Sequence, residues 1–219
     1  MKKSVIVLTA LLLLALNFSA FAQEEETERD VLEVNFYGGL GIPMGDMKDW
    51  HDSLGAKTGY EFGVEMGYFV TPKLITGIGF TYSQFGIDNS PTDLAADGLK
   101  HRLYNPNVYV KYNFEGESNW VPYVKGHVGA DFAKFTTFVT NPNGDRYRQI
   151  SYDPALSFGF GAGVFYYTAD YGGLYLEANY NYISSSEVEC EYEGNTYVFG
   201  SDMSTLEIRA GIRILIGNQ

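Results

Sequence analysis

Three runs of this 219-residue chain hold residue types that could do chemistry. His51, Asp52 and Ser53 stand side by side and supply the three side-chain types of a nucleophilic triad. A triad works when the base bonds the serine and the acid orients the base, and chain neighbours rarely reach that geometry. The run, beside Trp50, is therefore read as a solvated loop, and no catalytic residue is assigned. Glu187, Glu189, Glu191 and Glu193 alternate, so in a strand their carboxylates share one edge. Such a row could hold a divalent cation, which takes several oxygen ligands, or simply face water. It is at most a weak cation site, and no metal centre is assigned. Gly159-Phe-Gly-Ala-Gly163 invites a phosphate-loop reading. Its glycines keep period two within a strand and no helix follows, so that reading fails and no cofactor is expected. Cys190, the single cysteine, is read as a free thiol and excludes an intramolecular disulfide.

The elements that must position these residues are strands. Eighteen Tyr, fifteen Phe and twenty-five Gly fit strands and tight turns. Eight runs alternate apolar with small or polar residues, at about 31–42, 58–70, 73–86, 100–114, 121–138, 152–168, 173–185 and 205–216. The last is representative: Leu206, Ile208, Ala210, Ile212, Ile214 and Ile216 take one parity, and Glu207, Arg209, Gly211 and Arg213 the other. Successive strand side chains point to opposite faces, so each run has a greasy face and a polar one. The connections alternate in length. Val70–Lys73, Glu115–Asn119 and Ala169–Gly173 are short; Pro43–Lys57, Ile87–Leu99, Asn141–Ile150 and Ser186–Ser204 are long. Two of the long ones carry hairpin signals of their own, at Asn141-Pro-Asn-Gly144 and Glu193-Gly-Asn195.

Alternation does not say which face meets which solvent. Met1-Lys-Lys, an apolar run from Val5 to Leu16 and a small-x-small ending at Ala20 and Ala22 read as a secretory signal peptide over residues 1–22. Removing it takes Lys2 and Lys3 and no acid, leaving 27 acids against 13 bases, a formal charge of −14. That balance excludes a nucleic-acid partner, which needs a basic patch. Residues 23–30 form an acidic stub, and one domain follows over 31–217. An even number of strands, short turns at one end and long loops at the other describe an eight-stranded antiparallel up-and-down transmembrane β-barrel. The polar parity is mostly Gly, Asn, Ser and Thr, which suits a narrow filled lumen better than the charged exterior of a soluble barrel. Aromatic residues near strand ends, at Tyr68, Phe69, Trp120, Tyr123, Tyr166, Tyr167, Tyr171 and Tyr182, are expected to form girdles at the two interfaces.

With these features the chain resembles the small outer-membrane β-barrels of Gram-negative bacteria, the group of the OmpA transmembrane domain, OmpX and OmpW. The Gly41-Ile-Pro-Met-Gly-Asp46 step looks like the strand-to-loop passage of many members. The resemblance implies short periplasmic turns, long extracellular loops, a location in the outer membrane, and outer-membrane lipid, lipopolysaccharide and the barrel-assembly machinery as partners of a monomer. The acidic row at Glu187 to Glu193 would then meet the cation layer of the lipopolysaccharide. The chain departs from the family in ending Leu215-Ile-Gly-Asn-Gln219, without the terminal aromatic that the assembly machinery commonly reads. No peptidoglycan-binding domain is expected after the barrel. Enzymes of this architecture modify lipid A with His, Ser and an acid, but the run at His51 has no matching motif.

Barrel parity turns Glu33, Glu61, Glu65, Asp131, Glu177 and Glu207 inward, with Lys111, Lys125, His127, Arg209 and Arg213. Buried charge persists when paired and hydrogen-bonded. A packed lumen network with Arg209 and Arg213 as hubs is expected, rather than a water-filled pore. A non-enzymatic structural or surface-interaction role follows, with passage of small hydrophobic molecules as the second reading. For that, Phe85, Tyr109, Phe165 and Tyr175 would line an apolar channel from the top of the lumen to a lateral opening.

Overall fold

The computed structural model describes residues 32–48, 55–87, 100–114, 118–141, 144–151, 154–192 and 195–217, without the side chains of 46, 135–151 and 185–202. The expected signal peptide, the acidic stub and the His51-Asp52-Ser53 run lie outside these residues, as does Glu193. Nine strands are described: β1 (Leu32–Met44), β2 (Gly59–Phe69), β3 (Leu74–Gly86), β4 (Lys100–Asn113), β5 (Trp120–Asn141), β6 (Gly144–Ser151), β7 (Ala155–Ala169), β8 (Gly172–Tyr192) and β9 (Asn195–Ile216). All pairings are antiparallel, in the ring β1-β2-β3-β4-β5-β7-β8-β9. β9 closes the ring on β1, from Leu32 opposite Ile216 to Met44 opposite Ser204. The eight wall strands are those expected.

β6 is not a wall strand. It folds back on the far end of β5, Asn141 pairing Gly144. β8 and β9 likewise run past the wall as a hairpin, down to Tyr192 opposite Asn195. Both signals for these hairpins lay in stretches expected to be loops. The ladder continues there because beyond the membrane both faces meet water, so hydrogen bonding persists while apolar alternation stops.

Burial alternates along every described wall segment. Phe36, Phe62, Ile78, Val128, Phe160, Leu176 and Ile212 are exposed on the outer face, an apolar belt that only lipid can cover. Rings border it at both ends. At the long-loop end Phe62, Tyr82, Tyr104 and Phe132 are successive cross-strand neighbours. At the short-turn end stand Tyr68, Tyr112, Phe114, Trp120, Tyr166 and Tyr171. Tyr104 and Tyr112 lie on one strand, about 26 Å apart along it and about 20 Å along the barrel axis at the usual tilt. Three residues expected in the girdles are on the inward face instead. Tyr123 is 2 % exposed, Tyr167 packs on the inner cluster of Phe165, and Phe69 is the register partner of the buried Ile75. Each shares the parity of Lys125, Phe165 or Glu65, and parity outranks nearness to a strand end.

Candidate functional site

The inner face is the site, and it is layered. Under the long loops lies an apolar layer of Phe85, Leu103, Ala133, Ala155, Ile183 and Met203. Met47 joins it: Gly45, at φ 56°, turns the chain out of β1 into a single 3-10 turn that carries Met47 inward to 2 % exposure. Next comes a neutral-acidic layer. Asn105 Nδ2 donates to Asp131 Oδ2 at 2.5 Å and to Ser157 Oγ at 2.6 Å, and Asn107 Nδ2 donates to Asn105 Oδ1 at 2.8 Å. His127 Nε2 lies 3.2 Å from Asn181 Oδ1.

Below it is the ionic layer. Arg209 from β9 reaches three carboxylates: Glu61 through Nε at 2.8 Å, Glu177 through Nη1 at 3.3 Å and Glu207 through Nη2 at 2.5 Å. Lys125 Nζ lies 2.6 Å from Glu177 and 3.0 Å from Glu65. Neutral groups add further donors: Tyr123 donates to Glu177 at 3.1 Å, Asn179 to Glu207 at 2.6 Å and Thr205 to Glu207 at 3.1 Å. Nearer the short turns Glu33 holds Lys111 and accepts from Tyr109 and Asn35, each at 3.0 Å. Arg213 Nε lies 3.4 Å from Glu33, and its guanidinium stacks 4.2 Å over the Phe165 ring and 5.2 Å over Tyr123. Tyr37, Val121, Tyr123, Phe165 and Tyr175 close this end as an aromatic cluster.

Many of these bonds cross an intervening strand, and a glycine opens the way. Tyr37, Gly63 and Thr81 are register partners on β1, β2 and β3, and Tyr37 Oη meets Thr81 Oγ1 at 2.6 Å over Gly63. Tyr123 reaches Glu177 over Gly163, His127 reaches Asn181 over Gly159, and Arg209 reaches Glu61 over Gly39. A Cβ at Gly63 would stand 2.4 Å from Tyr37 Oη, and one at Gly159 2.4 Å from His127 Cε1. Alternating small and large residues is how a narrow barrel fills its interior.

A closed antiparallel ring, greasy outside and ionic within, can stand only in a bilayer. The family model "Outer membrane protein beta-barrel domain" matches residues 8–213. The chain belongs to this outer-membrane β-barrel family. Similar solved barrels include Neisserial surface protein A (NspA), 17 % identical over 85 % of this chain and 99 % of that one, with a TM-score of 0.57. OprG from Pseudomonas aeruginosa is 11 % identical over 88 % of this chain and 98 % of that one, with a TM-score of 0.52. A major outer membrane protein from Thermus thermophilus is 14 % identical over 84 % and 99 %, also at 0.52. At these identities the likeness is one of fold. No curated protein matches the chain in sequence.

As in other outer-membrane barrels, the short turns are periplasmic and the long loops extracellular. Glu61, Glu65, Lys125, Glu177, Glu207 and Arg209 form one ionic group, and Glu33, Lys111 and Arg213 a second. Asp131 and His127 join neither; both bond neutral partners. The hubs are Arg209 and Lys125, while Arg213 is an aromatic-stacked end member. Glu187, Glu189 and Glu191 lie on the outer part of β8, paired with Gly200, Val198 and Thr196; their side chains lie outside the described residues. Sequence reasoning missed the neutral members: Asn35, Asn105, Tyr123, Ser157, Asn179, Asn181 and Thr205. All share the parity of the charged residues, which was the available signal.

Proposed function

We propose that this outer-membrane barrel is a sealed, non-catalytic anchor that acts through what it presents to the cell exterior. The observation that carries the reading is the stacking of an apolar, a neutral-acidic, an ionic and an aromatic layer across one narrow lumen, whose inward charged side chains are 8 % exposed or less. A steady ion path would have to break several buried ion pairs, each strongly resisted. Passage of small hydrophobic molecules from the top of the lumen to a lateral opening fits less well, because the inward aromatics that would line it do not form one apolar path. Phe85 belongs to the extracellular apolar layer and Phe165 and Tyr175 to the periplasmic cluster, with ion pairs between. Tyr109 serves Glu33. His127 is engaged with Asn181, a wall contact rather than a base beside a nucleophile. Lipid of the outer membrane and the assembly machinery that inserts the barrel are its proposed partners, and it works as a monomer. Reconstitution in planar bilayers tests the seal: the wild-type barrel gives no steady current, and large, persistent conductance would refute it.

A further inference from the structure

The outer face of β3, β4 and β5 carries a feature that neither the lumen nor the girdles use. One step beyond the aromatic row of Tyr82, Tyr104 and Phe132, toward the cell exterior, the cross-strand row reads Gln84, Arg102 and Lys134. One step further it reads Gly86, Lys100 and Thr136. Arg102, Lys134 and Lys100 share the outward parity of Tyr104 and Phe132, between the buried His101, Leu103 and Ala133. Arg102 and Lys134 face each other directly in the register. Like charges in that position repel and destabilise the pair, and among the described residues none of the three cations has a carboxylate at ion-pair distance. Arg102 Nε donates to the neutral Gln84 Oε1 at 3.4 Å, with the neutral Tyr82 hydroxyl as a further neighbour, and Lys134 Nζ lies 5.4 Å over the Tyr104 ring. A chain of formal charge −12 thus sets three cations together on its lipid-side wall, none with a carboxylate partner among the described residues.

We propose that Arg102, Lys134 and Lys100 form a binding site for the phosphates of a phosphorylated lipid headgroup in the outer leaflet. Their height decides the ligand. Successive rows are about 6.6 Å apart along a strand, about 5 Å along the axis once tilted, so the cations sit just outside the aromatic girdle, where headgroups lie. A bound phosphate turns the Arg102–Lys134 repulsion into two attractions, and the guanidinium fork can grip two of its oxygens. Gly86 leaves room beside Lys100, since a Cβ there would meet nothing within 4 Å. This row needs no bridging metal to meet an anionic lipid, unlike the acidic positions on β8.

The test is native mass spectrometry of the folded barrel with a bisphosphorylated glycolipid, the same glycolipid dephosphorylated, and zwitterionic phosphatidylethanolamine. Wild type should retain the bisphosphorylated form preferentially. R102Q/K134Q should bind it about 30-fold more weakly, from the usual contribution of two cations near a headgroup. K48Q/K73Q, which removes two exposed cations elsewhere, should match wild type. A heat-dependent gel shift identifies the folded fraction of each variant. Equal retention by wild type and R102Q/K134Q, or equal loss in K48Q/K73Q, would overturn the site. Indifference to dephosphorylation would do so as well. Displacement of the glycolipid by inorganic pyrophosphate at equal concentration would make this a site for free anions and overturn the membrane partner.

Discussion

Gly163→Ala puts the smallest possible side chain into one of the openings through which lumen residues meet. The added Cβ would stand 2.5 Å from Cζ and Oη of Tyr123 and 2.6 Å from the carbonyl oxygen of Leu176. The backbone contact cannot swing away, and Tyr123 can do so only by releasing Glu177, its acceptor at 3.1 Å. Overpacking costs about 1–3 kcal/mol and loss of a hydrogen bond to a carboxylate about 1.5–3 kcal/mol. Against these stands a gain of about 0.5–1 kcal/mol from replacing glycine within a strand. The net expectation is a loss of about 2–5 kcal/mol. Gly86→Ala, where a Cβ meets nothing within 4 Å, should leave stability unchanged or raise it by about 0.5 kcal/mol. Urea titrations of both variants in phosphatidylcholine vesicles, read by the gel shift between folded and unfolded forms, give the comparison. A Tyr123→Ala background should absorb at least about 1.5 kcal/mol of the Gly163→Ala cost, the value of the bond already lost. The reasoning fails if Gly163→Ala proves as harmless as Gly86→Ala, or if the two sites show no coupling.

Three further outcomes follow from the layers and the belt. Lys125→Met removes the cation that Glu65 pairs with and should cost about 3–5 kcal/mol, most of it recovered by adding Glu65→Gln; the same urea titration measures both. Val108→Arg, midway between Tyr104 and Tyr112 on the lipid face of β4, should cost about 2–4 kcal/mol, whereas Phe114→Arg at the periplasmic interface should cost about 0–1 kcal/mol. Met47→Ala removes a buried side chain from the extracellular apolar layer and should cost about 2–5 kcal/mol, with faster amide exchange at Ala56, whose N–H bonds the Met47 carbonyl at 2.9 Å.

Where a strand had lipid on one side and the lumen on the other, its limits and facing could be read from period two alone, as in Glu207, Arg209 and Arg213 against Ile208, Ile212 and Ile214. Past Ile183 and before Met203 that contrast vanishes, because both faces leave the membrane, and the β8–β9 pairing showed in the sequence only through the hairpin signal Glu193-Gly-Asn195. Parity also named the inward charges but not their partners. Who meets whom depends on register and on strand tilt, which no single strand encodes. Arg213, four residues from Arg209 and on the same face, looked equivalent to it. It lies deeper among Phe165 and Tyr123, where one carboxylate is in reach. The inward glycines were legible as small residues for a narrow lumen. Their use as openings between partners two strands apart appears only once Gly63 is seen between Tyr37 and Thr81.

The closing seam joins these points. Apolar alternation forbids a one-residue slip of β9 against β1, since that would turn every greasy side chain into the lumen. It does not forbid a slip of two, which leaves Leu206, Ile208, Ile212 and Ile214 all in lipid. The inner face does. Arg209 stands opposite Gly39, and Gly39 opposite Glu61, so the guanidinium passes over a residue without a side chain to reach its carboxylate at 2.8 Å. A slip of two sets Arg209 opposite Tyr37 or Gly41. In the first case a phenol ring blocks the path to β2, and in the second the guanidinium moves up toward Phe85, whose ring lies 2.8 Å from where a Cβ of Gly41 would be. Either way Glu61 is left buried without its cation, at a cost of about 3–5 kcal/mol. The buried ion pair therefore fixes the one degree of freedom of barrel closure that the lipid-facing pattern leaves open.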